Sequence, residues 1–165
     1  MNESQSRRKR VGNEFEHRIE LACNYYRRKG LANIRKTPEP FKVIGKDLKT
    51  NKLEGFYTSK AQVDFKGTLK GGRSIVFEAK QSSKDAIQQS VIKEQQWDDL
   101  SAYEHLGALC YVIVSLSLKD FYMVPWYNFR KMEWLYGHKH MNRSELEKFR
   151  IPPHKDGLIH FLEVI

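Results

Sequence analysis

The sequence predicts one α/β domain of three layers, a mixed β-sheet between helices. Three observations lead there. Apolar residues recur at helical spacing near the N-terminus. Two alternating segments bracket the turn residues Gly67–Gly72. The run Leu109–Ser117 is almost wholly apolar and β-branched, as a strand buried on both faces must be. At 165 residues, 40% hydrophobic and 12% aromatic, the chain can bury a core but is short for two domains.

Residues 1–11 read as a basic, flexible arm ending in Arg7-Arg8-Lys9-Arg10, and residues 12–165 as the single domain. Val11, Phe15, Ile19, Ala22 and Tyr26 lie on one face of a helix over Gly12–Lys29, with Gly30 as its C-cap. After the proline-bounded link Thr37-Pro38-Glu39-Pro40, the segment Phe41–Ser59 reads as two short strands around a polar turn at Lys49-Thr50-Asn51-Lys52. Ala61–Lys66 and Arg73–Lys80 form the next pair of strands. Asp85–Tyr103 reads as a helix, with Ile87, Val91 and Leu100 on one face. Leu109–Ser117 then pairs with Phe121–Trp126 across the turn at Lys119-Asp120. Tyr127–Tyr136 and Ser144–Phe149 complete the chain as helices, the second opened by a Ser144/Glu147 capping box.

The formal charge is +9 and the pI about 9.5, which favours polyanionic partners. Charge alone does not separate nucleic acid from an anionic membrane surface. The longest apolar stretch, around Leu106–Leu118, falls short of the ~20 residues that span a bilayer. No apolar run follows the basic N-terminus, so it does not read as a signal peptide. Cys23 and Cys110 stand far apart with no metal-ligand spacing, and read as reduced buried thiols. A cytoplasmic location and no membrane partner are the expectations.

The chemistry centres on the predicted hairpin Asp64–Lys80. With its turn centred on Gly71, Asp64 falls opposite Glu78, Cβ atoms about 5 Å apart on one face. Lys80, two residues on, points the same way. Two adjacent carboxylates repel unless one is protonated or a cation lies between them. Hard divalent ions, Mg²⁺ above all, are held by one or two carboxylates plus substrate phosphate. A lysine beside them can orient or deprotonate a water, or offset charge on a scissile phosphate. Asp47-Leu48-Lys49 fits the same acid-any-lysine triplet but lies in a polar turn. His138-Lys139-His140 lacks further ligands at supporting spacing, and a solvated turn accounts for it. Trp97, Trp126 and Trp134 read as core or interface residues.

Several segments, in order, resemble the RecU family of Holliday junction resolvases within the PD-(D/E)xK nucleases. They are Gly12-Asn13-Glu14-Phe15-Glu16 with Tyr25-Tyr26, Ile34–Pro40, Val63-Asp64-Phe65-Lys66-Gly67, Phe77-Glu78-Ala79-Lys80 and Gln95-Gln96. The likeness covers about Gly12–Trp126, with a looser match at Gly157–Leu162. It departs from the family at Ser59–Val63, at Thr37 and Glu39, and in the short segment between Pro40 and Asp64.

The resemblance implies a restriction-endonuclease-like fold with a protruding β-hairpin stalk at residues 41–59. It implies Asp64 and Glu78 as metal ligands, Lys80 as the catalytic lysine, Glu16 approaching from the first helix and Gln96 lining the site. Lys36 falls where the family carries a basic residue. The expected cofactor is Mg²⁺, with Mn²⁺ able to substitute. The expected partners are DNA, four-way junctions preferred, and a second copy of the chain, because matched nicks on two strands need two sites. Nicking would leave 5′-phosphate and 3′-hydroxyl ends. Lys42, Lys46, Lys49 and Lys52 on the hairpin are candidate DNA contacts, as are Arg7, Arg8, Lys9 and Arg10 in the arm. An exposed edge hairpin whose lysines block aggregation is the plainer reading of residues 41–59. Two other functions stay open: a related endonuclease for branched or duplex DNA, and a non-catalytic DNA-binding accessory protein.

Overall fold

A computed structural model describes residues 3–38, 41–57 and 62–165. In chain order it forms α1 (Glu3–Arg28), β1 (Ala32–Lys36), β2 (Phe41–Lys46), β3 (Leu53–Tyr57), β4 (Phe65–Leu69), β5 (Ser74–Ser82) and β6 (Ala86–Gln88). There follow α2 (Glu94–His105), β7 (Leu109–Leu116), β8 (Asp120–Pro125), α3 (Trp126–Arg130), α4 (Met132–Tyr136), β9 (His140–Asn142) and α5 (Arg143–Leu146). The main sheet has the order β1-β4-β5-β7-β8 and is mixed: only β5 and β7 run parallel. The expected three-layer α/β arrangement is therefore present, with the connection through α2 joining the parallel pair.

Each face of the sheet has its own core. On one face, Phe15, Ile19 and Tyr26 of α1 pack with Phe65, Ile75, Phe77, Ile113 and Phe161. On the other, Val76, Val112, Val114 and Val124 pack with Leu100 of α2 and with Trp126, Phe129 and Met132. Period-two alternation along β5 thus sends odd residues towards α1 and even residues towards α2. This alternation decides where Glu78 goes.

The hairpin β4–β5 has the predicted register: Phe65 opposes Phe77 and Gly67 opposes Ile75. Gly71 and Gly72 both adopt positive φ (94° and 92°), which lets Leu69 N–H bond the Arg73 carbonyl at 2.9 Å. The first strand is shorter than predicted. Ala61 lies outside the described residues, and Gln62–Asp64 is not strand because the Asp64 main chain bonds elsewhere, as the site below shows.

Other elements depart from expectation for local reasons. The helix begins at Glu3, so the backbone of Arg7–Arg10 is helical. Glu3–Arg10 contains neither Gly nor Pro and is rich in helix formers. The Asp85–Tyr103 helix is divided: Ile87 is fully buried in β6, paired with β9, and α2 starts only at Glu94. Tyr127–Tyr136 breaks at Lys131 into α3 and α4. The last capping box is Asn142/Glu145, whose side chain and backbone bond reciprocally (3.0 and 2.8 Å), not Ser144/Glu147. β1 was not anticipated; Ala32 and Ile34 alternate into the core, but over five residues the pattern is short.

The segment after Phe41 forms the expected two strands, β2 and β3, as a sheet separate from the main one. The loop between them closes with Asp47 N–H on the Lys52 carbonyl (2.9 Å), and Asp47 Oδ1 accepts from Lys49 N–H (2.8 Å). The Asp47-Leu48-Lys49 triplet is thus a turn, as expected. Ser59, the expected end of the hairpin, lies outside the described residues.

Candidate active site

Glu78 is a carboxylate with no exposed surface in the middle of a β-strand. A buried carboxylate needs its lone pairs filled, and the neighbours supply three donors. Lys80 Nζ and Gln96 Nε2 each donate to Oε2 at 2.7 Å, and Asp64 N–H donates to Oε1 at 3.1 Å. Asp64 is held in turn, its Oδ2 accepting from Ala79 N–H at 2.9 Å. Glu78 thus accepts from the Asp64 N–H and Asp64 from the Ala79 N–H, which closes the end of the hairpin. This is why the strand stops short of Asp64. Lys80 Nζ lies 3.6 Å from Asp64 Oδ2 and faces both carboxylates.

Electrostatics follow from the burial. Glu78 is pushed up to about 8 from an ordinary 4.5, first by desolvation and then by the Asp64 charge; the attraction of Lys80 offsets only part of this. Burial also opposes the charge on Lys80, but Glu78 and Asp64 outweigh it and raise the ammonium above its usual value. Of this cluster, Glu78 is the group that burial drives towards its neutral form.

Gln96 is placed by α2, where its Oε1 accepts from Lys93 N–H (3.3 Å) while its amide reaches Glu78. Glu16, on α1, pairs with Lys36 at the end of β1 (2.6 Å). That bond is the main cause of the raised Lys36 pKa, with a smaller contribution from Asp64. The Glu16 charge is likewise felt at Lys80. The structure thus groups Asp64, Glu78, Lys80 and Gln96 tightly, with the Glu16–Lys36 pair beside them.

One neighbour escaped the sequence reading. Thr37 N–H donates to the Asp64 carbonyl (2.8 Å), and its hydroxyl is buried with no partner among the described residues. Thr37 stood out in the sequence only as a departure from the family pattern; nothing local signals an unpaired hydroxyl beside an acid.

The remaining candidates fall elsewhere. Lys42, Lys46, Lys49 and Lys52 are exposed on the β2–β3 hairpin, Lys42 opposite Phe56 and Lys46 opposite Leu53. The hairpin also exposes Val43, Ile44, Leu48 and Leu53, a more apolar surface than its lysines suggested. Arg10 is exposed on α1; the side chains of Arg7, Arg8 and Lys9 lie outside the described residues. His138 and His140 stack at 3.8 Å and are half-buried, with His138 Nε2 3.2 Å from Glu145, so they are not a solvated turn. Trp126 is buried edge-on to Trp97, but Trp134 is 75% exposed and belongs to no core. Cys23 and Cys110 are free and buried, as expected.

Among the described residues no helix is long and apolar enough to cross a membrane. The fold, a mixed sheet with an acid pair and lysine at the end of a central hairpin, is of the restriction-endonuclease-like class. It is shared with Hjc, a Holliday junction resolvase from the archaeal hyperthermophile Archaeoglobus fulgidus: TM-score 0.50, 13% identity, 83% of this chain and 88% of that one. The chain belongs to the RecU family, whose model, "Recombination protein U", it matches over residues 10–165. Curated relatives include the Holliday junction resolvase RecU of Staphylococcus saprophyticus, 29% identical over 126 residues and 73% of this chain. That of Streptococcus gordonii is 28% identical over 120 residues and 69% of this chain. The matches span 60% of the length of each relative.

Proposed function

We propose that the chain is a Holliday junction resolvase, nicking four-way DNA junctions by divalent-metal-dependent phosphodiester hydrolysis. The observation that carries this reading is the Asp64–Glu78–Lys80 cluster, in which a fully buried carboxylate faces a second acid. The family relatives, named as resolvases, support the substrate.

The residues fit a hard cation. Two carboxylates converge, one of them driven to protonate by burial and by its neighbour, so added positive charge relieves the site. Asp64 and Glu78 would hold Mg²⁺, with Mn²⁺ as a substitute. When bound, the ion supplies Lewis-acid stabilisation of charge on the scissile phosphate. Lys80, facing both carboxylates, would orient or deprotonate a water or offset charge on the phosphate. Gln96 holds Glu78 in place and spans to the α2 backbone. The Thr37 hydroxyl, without a partner among the described residues, would be offered to a water or phosphate oxygen, and Lys36, paired with Glu16, adds a cation at the site's edge.

Substrate binding falls to the basic surface: Arg7, Arg8, Lys9 and Arg10 on α1 and Lys42, Lys46, Lys49 and Lys52 on the hairpin. Paired nicks on opposite strands call for a two-fold homodimer with two sites. A DNA recombination enzyme of this kind works in the cytoplasm. The test is cleavage of a mobile four-way junction against a linear duplex of the same sequence, with and without Mg²⁺. Paired, symmetric, metal-dependent nicks in the junction are expected. Equal cutting of both substrates would favour a general endonuclease, and binding without cutting an accessory protein.

A further inference from the structure

A second group of metal-ligating side chains lies at the far end of the chain, in the segment His154–Glu163. One ligand atom each from His154, Asp156 and His160 falls within 4.8 Å of the others. His160 Nε2 is 2.8 Å from Asp156 Oδ2, and His154 Nδ1 is 3.8 Å from Asp156 Oδ1. The two imidazoles lie with ring centroids 4.0 Å apart. Each ring turns its other nitrogen to one acid: His160 Nδ1 is 3.3 Å and His154 Nε2 3.7 Å from the Glu163 carboxylate.

In a coordinated histidine one nitrogen faces the metal and the other a carboxylate that fixes tautomer and orientation, and here both rings turn their second nitrogen towards Glu163. We propose that His154 Nδ1, Asp156 and His160 Nε2 bind a borderline divalent transition ion, Zn²⁺ the foremost, with Glu163 as the outer acceptor for both rings. Two imidazoles and one carboxylate suit Zn²⁺ and exclude preference for Mg²⁺, which takes oxygen ligands. Three protein ligands leave a fourth position for water.

The surroundings say what the ion does. His160 is buried, packed edge-on against Tyr25 and Tyr26 of α1 (5.1 and 6.3 Å). Two residues on, Leu162 N–H donates to the Tyr26 hydroxyl (3.1 Å). Between them Phe161 inserts into the core against Tyr26 and Phe77 (5.1 and 5.3 Å), and Phe77 precedes Glu78 in β5. Cross-linking the exposed loop at His154 and Asp156 to buried His160 would therefore pin the C-terminal segment onto α1 and the strand that carries the active-site acid. The role is structural.

Co²⁺ is a spectroscopic stand-in for Zn²⁺. The full chain, stripped with chelator, is titrated with Co²⁺ in excess Mg²⁺, alongside His154→Ala, Asp156→Asn and Glu78→Gln. His154 and Asp156 are each nearly half exposed, so their replacement leaves the core intact. One equivalent of Co²⁺ should give visible d–d absorption in the wild type and in Glu78→Gln. Loss of a ligand should weaken binding by more than the ~100-fold that an outer partner can cost. Zn²⁺ at a hundredfold excess over Kd should raise the unfolding midpoint by about 5–10 °C in the wild type and in Glu78→Gln, but not in His154→Ala or Asp156→Asn. No absorption in the wild type, or absorption that survives in His154→Ala but vanishes in Glu78→Gln, would overturn the proposal.

Discussion

Replacing Glu78 by Gln removes the charge that burial opposes while nearly preserving shape. In the metal-free protein the folded state keeps the Glu78 proton to about pH 8, whereas the unfolded chain releases it near its ordinary 4.5. The pKa is raised on folding, so Glu78 contributes stability that is fully present below about 4.5 and is lost as pH rises through 8. Each pH unit across that window removes about 1.4 kcal/mol at most, a few kcal/mol in all. Against this, the variant turns one amide N–H₂ towards the Asp64 N–H, forfeiting a hydrogen bond of about 1 kcal/mol. Urea denaturation in chelator should therefore find Glu78→Gln less stable than the wild type near pH 4–5 and more stable near pH 8. Saturating Mg²⁺ should stabilise the wild type at pH 8 and leave the variant almost unmoved. A stability difference that is flat from pH 5 to 8 would mean instead that Glu78 ionises freely in the fold.

Three further outcomes are expected. Junction affinity should fall steeply with salt, by about 0.9 in log K per log unit for each phosphate neutralised. Replacing Arg7, Arg8, Lys9 and Arg10 by Ala keeps the helix and should flatten that slope, and an unchanged slope places the DNA elsewhere. Replacing Ile44–Glu54 with a short Gly-Ser turn removes most of a separate sheet, so the shortened protein should fold, bind metal and lose most of its preference for junction over duplex, read by gel-shift competition. Gly67→Ala should destabilise by about 2 kcal/mol or more, since a Cβ there meets the Asn33 carbonyl and the Ile34 backbone of β1. A denaturation midpoint equal to the wild type's would show that β1 and β4 separate without cost.

Legibility in the sequence followed range. The acid pair was readable because one short turn fixes its register, and alternation then assigns each side chain to a face. The buried run of β7 was readable because both its faces meet helices. What local pattern could not show depends on distant partners. Ile87 looks like a helical position until β9, some fifty residues on, pairs with it. The pairing of Thr37 with Asp64 and the meeting of His154 with His160 and Glu163 are set by how the ends of elements come together. The early start of α1 is not legible because a block of like charges reads as an arm, although every residue in it favours helix.

On the proposed function, Asp64, Glu78 and Lys80 perform the cleavage. Single-turnover nicking of a mobile four-way junction, with junction binding measured on the same samples, tests it most directly. Asp64→Asn, Glu78→Gln and Lys80→Ala should each lose at least about a hundredfold in rate, the scale of removing one transition-state contact, with affinity nearly unchanged. Wild-type rates in the Asp64 and Glu78 variants would contradict the account and place the active site elsewhere.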